Sequence, residues 1–536
     1  MNRQTVTAYL LPLFISLALA AGFYVDGRKV TINNLSSDQW NILPVCIKLD
    51  HPDLYDSDLV ADEIEDIDYY TPFFVAGVRF FTLFSNDNYI EGLNKFNFLI
   101  NFLYTLLWFL FFFYLIHNLP IAILLVLLTR GILWLPGFEL WGAGALWTAL
   151  PRTAFLALLP LPMILLVGLA KFKNGRFGGA FALGLISNFH PISGLGLIIA
   201  FWFTDIIYQR FILKIQLKTV MRQSIILGIL MIIGLSPYIY TYFSEVYLNK
   251  PQDPMLFNEI LPLRIGEAFR NPFLALSKFA QLRWILFLGI PVLYVFFFYK
   301  RLTGQAKENV LFFSILLIVV FCTSVFTVPL ERLIARKGLN LHMSFQLIRN
   351  IKWIMVSVYV FYAVALMSVV SIFKTDMRKH ASWAMLFGFL IILLVSRIQP
   401  FNKLPIVGDD LIRTTLPNVF SIVEEEYGQD EELDLMYSWI NDNISSEAKF
   451  IGPTQLRTAC RRSVIFDLKG ASMLIEGNPD KFVQWGIKSL QLTECKNIQC
   501  RLDLYKSWGT DFFLTDMVIN GRNSEITIGR WNLYAL

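Results

Sequence analysis

Residues 96–118 read FNFLINFLYTLLWFLFFFYLIHN, twenty-three residues with no Asp, Glu, Lys or Arg. As a helix rising about 1.5 Å per residue this stretch covers about 35 Å, enough to cross a hydrocarbon core of about 30 Å. Working outward, comparable apolar runs occur at 7–25, 119–135, 152–170, 177–189, 192–209, 223–243, 283–299, 308–328, 351–373 and 381–398. The reading is therefore an α-helical polytopic membrane protein with about eleven transmembrane helices. Composition agrees, because 55% of the 536 residues are hydrophobic and only 16% are charged, against about 25% charged in soluble domains. A soluble multidomain enzyme is excluded. The net charge of +5 is small and unevenly spread, so it is no argument for a nucleic-acid partner.

The distribution of charge orders the chain. Four loops between the runs hold Lys171, Lys173 and Arg176; Arg210, Lys214, Lys218 and Arg222; Lys300, Arg301 and Lys307; and Lys374, Arg378 and Lys379. Basic residues close to membrane helices stay on the cytoplasmic side, so these loops are inside. The expected place is the cytoplasmic (inner) membrane, with the N-terminus inside and the C-terminal part outside, in the periplasm. Residues 1–25 form a first transmembrane helix or signal anchor, and Ala18-Leu19-Ala20 leaves cleavage after Ala20 as an alternative. Residues 26–95 form an acidic outer loop with thirteen Asp and Glu, in which the apolar stretch from Tyr70 to Phe84 is too short to cross and is expected to lie along the interface. Residues 96–398 are the multi-span domain. Residues 399–536 carry 19 acids and 14 bases and alternate helix and strand signals, which predicts a soluble outer α/β domain.

Within the spans, 177–209 could form one helix kinked at Pro191 or two short ones. Only two crossings keep the basic loops on both sides of it inside, which favours a hairpin. Its turn, Asn188 to Gly194, should then sit below the outer surface, where irregular backbone is tolerated only inside protein or beside water. Cys46, Cys460, Cys495 and Cys500 fall outside, so a disulfide such as Cys495–Cys500 or Cys460–Cys495 is compatible with an oxidising compartment. None of the cysteines has zinc-site spacing.

Ionisable groups near membrane depth are costly and mark function. Asp56 and Asp58, in His51-Pro52-Asp53-Leu54-Tyr55-Asp56-Ser57-Asp58, could deprotonate an acceptor hydroxyl or ligate a divalent cation; the plain alternative is a solvated acidic loop. Arg152, at the outer start of a charge-free span, could grip a phosphate with paired donors, or simply snorkel to the interface. His190, in the submerged turn, could donate to a phosphate or exchange a proton, or be a satisfied structural residue. Arg332 and Arg349 belong to an outer loop, 329–350, with more bases than an outer loop ordinarily holds, which suggests an anionic ligand or compensation by the acidic outer parts. No Walker-type phosphate loop, zincin motif or nucleophile-elbow serine occurs, so an ATP-driven pump is disfavoured.

With these residues in view, the layout resembles the GT-C class of polytopic membrane glycosyltransferases, and more closely an uncharacterised bacterial GT-C-like family. The features that carry it are Leu54-Tyr55-Asp56-Ser57-Asp58 and Tyr70-Thr71-Pro72 in a long first outer loop, Asn188-Phe189-His190-Pro191 in the bundle, Arg349 entering a late span, and Trp439-Ile440-Asn441-Asp442-Asn443 opening the tail. The resemblance implies a catalytic Asp58, with Asp56 second, and phosphate-binding Arg152 and Arg349. It implies a polyprenyl-phosphate-linked sugar donor and a glycan, lipid or protein acceptor, with membrane lipids around the bundle and no nucleic acid. A divalent cation (Mg or Mn) is compatible with the carboxylates but not required by them. The adjacent acidic pair expected near the end of the first span is absent, since Gly27 follows Asp26. A second reading is a non-catalytic transporter or assembly component of envelope polysaccharide synthesis.

Overall fold

The computed structural model describes residues 3–35, 38–131, 149–167, 175–243, 251–265, 277, 282–335, 348–403, 415–420 and 430–536. The chain packs as two compact units, one built from 1–27, 94–237 and 267–425 and the other from 28–93, 238–266 and 426–536. Packing thus sorts the chain differently from a reading along its length. The acidic stretch after the first helix and the C-terminal part share a unit, and the described residues 399–403 and 415–420 cluster with the apolar helices.

Among the described residues, seven helices are long and apolar enough to cross a membrane: Leu10–Gly27, Tyr89–Ile116, Pro191–Ile212, Leu217–Gly234, Gly304–Thr327, Ile348–Ile372 and Thr375–Val395. The architecture is that of a helical membrane protein. Shorter apolar helices cover Leu119–Gly131, Pro151–Leu158, Pro160–Val167, Gly175–Ser187 and Leu282–Phe298. Proline opens two of the helices that matter below, at Pro151 and Pro191, where its missing N–H costs nothing and its φ suits the first turn.

Residues 177–209 form a hairpin. Gly175–Ser187 leads through Asn188, Phe189 and His190 into Pro191–Ile207, and the open end is closed by Arg176, whose Nη2 donates to both oxygens of Asp205 at 2.8 and 2.6 Å. The buried turn is satisfied from within the unit: Asn188 Nδ2 donates to the carbonyls of Leu185 and Gly234, each at 2.9 Å. Gly184 lets this hairpin approach the Leu217–Gly234 helix, because a Cβ there would lie 2.1 Å from the Met231 carbonyl oxygen.

The second unit is built on a five-stranded mixed sheet, order β2-β1-β3-β5-β4, with β1 Lys449–Ile451, β2 Ser463–Val464, β3 Phe512–Thr515, β4 Ile526–Ile528 and β5 Trp531–Ala535. β1 runs parallel to β2 and β3, while β5 is antiparallel to β3 and β4. Ile451, Ile465, Leu502, Tyr505, Phe513 and Tyr534 form a buried core in this unit. Helices Glu431–Asn443, Pro479–Glu494 and Ile498–Ser507 are capped by Asp430, Asn478 and Asn497, whose side chains accept from backbone N–H groups of the first turn. On the first of these the buried face is Leu433, Met436, Tyr437 and Ile440; Trp439 is only half-buried. Tyrosines stitch the early segment to the late one: Tyr55 Oη donates to the Arg457 carbonyl and Tyr69 Oη to that of Met473, each at 2.7 Å. The helix Pro72–Thr82 buries Phe74, Val75 and Val78 on one side, while Phe80, Leu83 and Phe84 at and beyond its end are exposed. Cys495 and Cys500 form a disulfide.

Candidate functional site

In the first unit, three helix starts meet. Asn350, next to Arg349, donates from Nδ2 to the carbonyl of Ile192 at 3.3 Å, two residues after His190. Trp353 Nε1 donates to Asn350 Oδ1 at 3.0 Å, and the Trp353 ring packs on Phe155 with centroids 5.5 Å apart. Phe155 lies one turn after Arg152 in the helix Pro151–Leu158. The chain Phe155–Trp353–Asn350–Ile192 therefore gathers the backbone segments that carry Arg152, Arg349 and His190. Each begins a helix or leads into one, so the positive ends of backbone dipoles gather there as well.

The side chains add to that field. Arg152 is 8% exposed, and Lys352 is buried with its Nζ 5.2 Å from the Trp353 ring centroid. His190 Nδ1 accepts from the Ser193 N–H at 3.2 Å, so in the neutral imidazole the proton sits on Nε2 and that edge donates. A guanidinium, an ammonium and an imidazole N–H, on segments brought together in this way, are the kinds of donor that recognise a phosphate. Lys352 was missed in the sequence because it reads as one base beside a span. Its proximity to the others appears only once Trp353 is seen to pack against Phe155.

Arg332 falls in the helix Gly304–Ala335, which runs on past the span expected to end at 328; its side chain lies outside the described residues, as do Arg336, Lys337 and His342.

In the second unit, the two aspartates separate in role. Asp58 is fully buried. Its Oδ1 accepts from Val60 N, Ala61 N and Arg457 Nη2 at 2.9, 3.1 and 2.9 Å, and its Oδ2 from Arg457 Nε and Val464 N at 2.7 and 2.8 Å. Arg457 also binds Asp467 through Nη1 at 2.5 Å. Burial alone would lower the Arg457 pKa, but the two carboxylates hold it above its ordinary value. Five accepted hydrogen bonds leave Asp58 no lone pair turned to solvent. In this environment Asp58 is a counterion of Arg457.

Asp56 is exposed. Tyr55 and Ser57, on either side of it, both have left-handed backbone, φ 68° and 61°, which non-glycine residues adopt at a cost of order 1–3 kcal/mol each. The bend is held by Ser463 Oγ donating to the Asp56 carbonyl at 2.8 Å and by Lys449 Nζ donating to Ser57 Oγ at 3.0 Å. Asp58 and Arg457 thus anchor a strained loop whose tip presents Asp56 to solvent. Arg457 and Asp467 carried no signal in the sequence, since an isolated basic residue in a tail cannot be matched to a partner some 400 positions away.

One further carboxyl stands out. Glu476, at the end of the helix Ala471–Gly477, is buried and has no hydrogen-bond or ion-pair partner among the described residues; its pKa is pushed up to about 7 by burial. It lies electrostatically close to Tyr69 and Tyr238. Among the described residues no group of three His, Cys, Asp or Glu could hold a metal ion.

No family model matches the chain, and comparison with curated proteins finds no match.

Proposed function

We propose that the protein is a GT-C-like membrane glycosyltransferase, with about eleven transmembrane helices, that moves a sugar from a polyprenyl-phosphate-linked donor to a glycan, lipid or protein acceptor on the outer face of the cytoplasmic membrane. The observation that supports it best is the gathering of Arg152, His190, Arg349 and Lys352 where the helices that start at Pro151, Pro191 and Ile354 begin. Cations at the ends of apolar helices suit a ligand whose phosphate stays at the interface and whose chain stays in lipid. The basic inner loops support the assigned orientation. The disulfide Cys495–Cys500 suits an oxidising outer compartment for the C-terminal α/β part, and the exposed Phe80, Leu83 and Phe84 suit an interfacial helix.

In this reading Arg152, Arg349 and Lys352 hold the donor phosphate, His190 adds an N–H donor, and Arg332 is a further candidate for the same role. Asp56 takes the proton from the acceptor hydroxyl, and Asp58 shapes the loop that presents it. A divalent cation is not needed by this scheme.

The test is transfer of radiolabelled sugar from a panel of polyprenyl-phosphate donors by the purified full-length protein. Asp56→Asn should lower turnover by about 10²–10⁴-fold, the ordinary worth of a general base, while its thermal midpoint stays at the wild-type value. Unchanged turnover would remove Asp56 from the chemistry.

The sequestered state of Asp58 favours a second reading, a non-catalytic transporter or assembly component of envelope polysaccharide synthesis. It predicts that basic-cluster variants lose function while no single carboxylate variant does.

A further inference from the structure

In the second unit, the helix Ala471–Gly477 ends on a carboxyl that no donor engages among the described residues. Glu476 is 7% exposed, and its surroundings are aromatic. Tyr69 stands edge-on to Tyr242 with ring centroids 6.4 Å apart, Tyr242 stacks on Tyr238 at 5.5 Å, and Tyr69 and Tyr238 both lie electrostatically close to Glu476. A buried carboxylate without donors costs far more than the neutral acid, so this packing accommodates the protonated form.

The charges on the elements packed against this helix are exposed or engaged elsewhere. Around Ile64–Asp66, Asp66 pairs with Lys481 at 2.8 Å and accepts from Asn478 Nδ2 at 3.0 Å, and Glu63 lies 3.3 Å from the same ammonium. Glu65 is exposed, and Asp68, half-buried, has an interaction of its own. On Pro479–Glu494, Asp480 accepts from the Gln252 N–H at 2.8 Å and Lys488 lies over the Trp508 ring. On Pro254–Arg264, Arg264 donates to the Lys469 carbonyl at 3.5 Å and Glu259 is exposed. Burial is what sets the state of Glu476, pushing its pKa up to about 7.

This carboxyl adjoins a contact that fastens an early segment to a late one. A Cβ on Gly477 would run into the Asp66 carbonyl oxygen and lie 3.2 Å from the Tyr69 ring, so the chain from Asp66 to Tyr69 lies flush on the helix end, where Tyr69 Oη donates to the Met473 carbonyl. Asp66 is tied down by Lys481 at one side of Tyr69. On the other side the helix Pro72–Thr82 is tied to Gln39–Asp50, where Cys46 Sγ donates to the Val75 carbonyl at 3.8 Å. Between the two ties stands Thr71, a β-branched residue with left-handed backbone, φ 48°, a strained conformation that persists only while the packing around it imposes it.

We propose that Glu476 is a proton-controlled latch on the segment from Ile67 to Thr71: neutral, it lets Tyr69 dock on Ala471–Gly477; ionised, it turns to water and releases Tyr69, with Thr71 as the hinge. The latch stands whether or not the protein is a transferase. Once released, the carboxyl meets water and returns to its ordinary 4.5. Docking is therefore most favourable below about pH 4.5 and weakens as pH rises through about 7, and the ratio of released to docked molecules should grow about tenfold between pH 6 and pH 8.

The test is hydrogen–deuterium exchange of the full-length protein in detergent at pH 6 and pH 8, read by mass spectrometry and corrected for the intrinsic pH dependence of exchange. In wild type, protection of peptides covering 67–71 and 471–477 should fall about tenfold at pH 8, while peptides covering β1 and β3 keep theirs. Glu476→Gln, which keeps the shape without the charge, should hold the pH 6 protection at both values. Tyr69→Phe, which removes the hydrogen bond to Met473 but no titrating carboxyl, should lower protection at both values and keep the pH dependence. Equal protection of the two peptides at pH 6 and pH 8 in wild type overturns the proposal with no variant needed. So does a pH dependence that survives in Glu476→Gln.

Discussion

Arg130 and Arg457 are both fully buried guanidinium groups, yet one faces hydroxyl, amide and carbonyl oxygens and two aromatic rings and the other faces two carboxylates. Burial is the same and compensation is opposite. The difference teaches what each arginine is for. Arg457 with Asp58 and Asp467 is a closed electrostatic unit that joins an early loop to a late strand, and it is finished as it stands. Arg130 is held by neutral groups, and no carboxylate among the described residues pairs with it.

The sharpest way to break this comparison is to remove the cation from the closed unit. Arg457→Met strands two buried carboxylates and should cost about 3–5 kcal/mol of stability, read as a fall in the thermal midpoint of the purified protein. Asp58→Asn should also destabilise, whereas Asp56→Asn, two residues away and exposed, should not. Equal midpoints for the Asp58 and Asp56 variants would show that the buried pair does not anchor the loop.

Glu476 extends the comparison to a buried acid that has no partner among the described residues. Its ordinary value is 4.5 and its folded value is about 7. The folded state therefore holds a proton that the unfolded chain has already lost, so this group's contribution is most favourable below about pH 4.5 and is lost as pH rises through about 7. A shift of this size corresponds to about 3 kcal/mol. The midpoint difference between Glu476→Gln and wild type should grow in favour of the variant from pH 5 to pH 8. A constant difference across that range would mean that Glu476 is ionised in the fold.

The disulfide is a smaller, uncharged restraint in the same unit as Arg457. Replacing Cys495 and Cys500 by Ser should cost about 2 kcal/mol, as expected for so short a closed loop, and reducing agent should lower the wild-type midpoint but not that of the double variant. The smallest effect is expected at Arg130. Arg130→Met removes hydrogen bonds but strands no opposite charge, so in lipid-free detergent it should cost clearly less than Arg457→Met, about 1 kcal/mol.

Much of this fold was legible because helices that cross a membrane announce themselves by length and apolarity. The runs at 96–118 and 351–373 correspond to helices Tyr89–Ile116 and Ile354–Ile372, and the turn before Pro191 lies where the chain changes from one short helix to the next. In the tail, the alternation of helix and strand signals was readable, but the pairing of β4 with β5 was not. They are three and five residues long and joined around Gly529 at φ 56°, too short for alternation to stand out. The site was legible only in part. Position along the chain suggested Arg152, His190 and Arg349 separately, while Lys352 joins them through packing. For Asp58 the residue type suggested chemistry, while its ion pair with Arg457, far along the chain, carried no signal in the sequence.

The gathering of Arg152, Arg349 and Lys352 with the N–H of His190 is the part of the account on which the functional reading rests. Its most direct test is equilibrium binding of a fluorescent polyprenyl phosphate to the full-length protein, wild type against Arg152→Gln and Arg349→Gln. A charged hydrogen bond is worth about 1.5–3 kcal/mol, so each variant should bind about 10–100-fold more weakly than wild type, and wild-type affinity should fall as salt rises. Affinity unchanged in both variants would contradict the account.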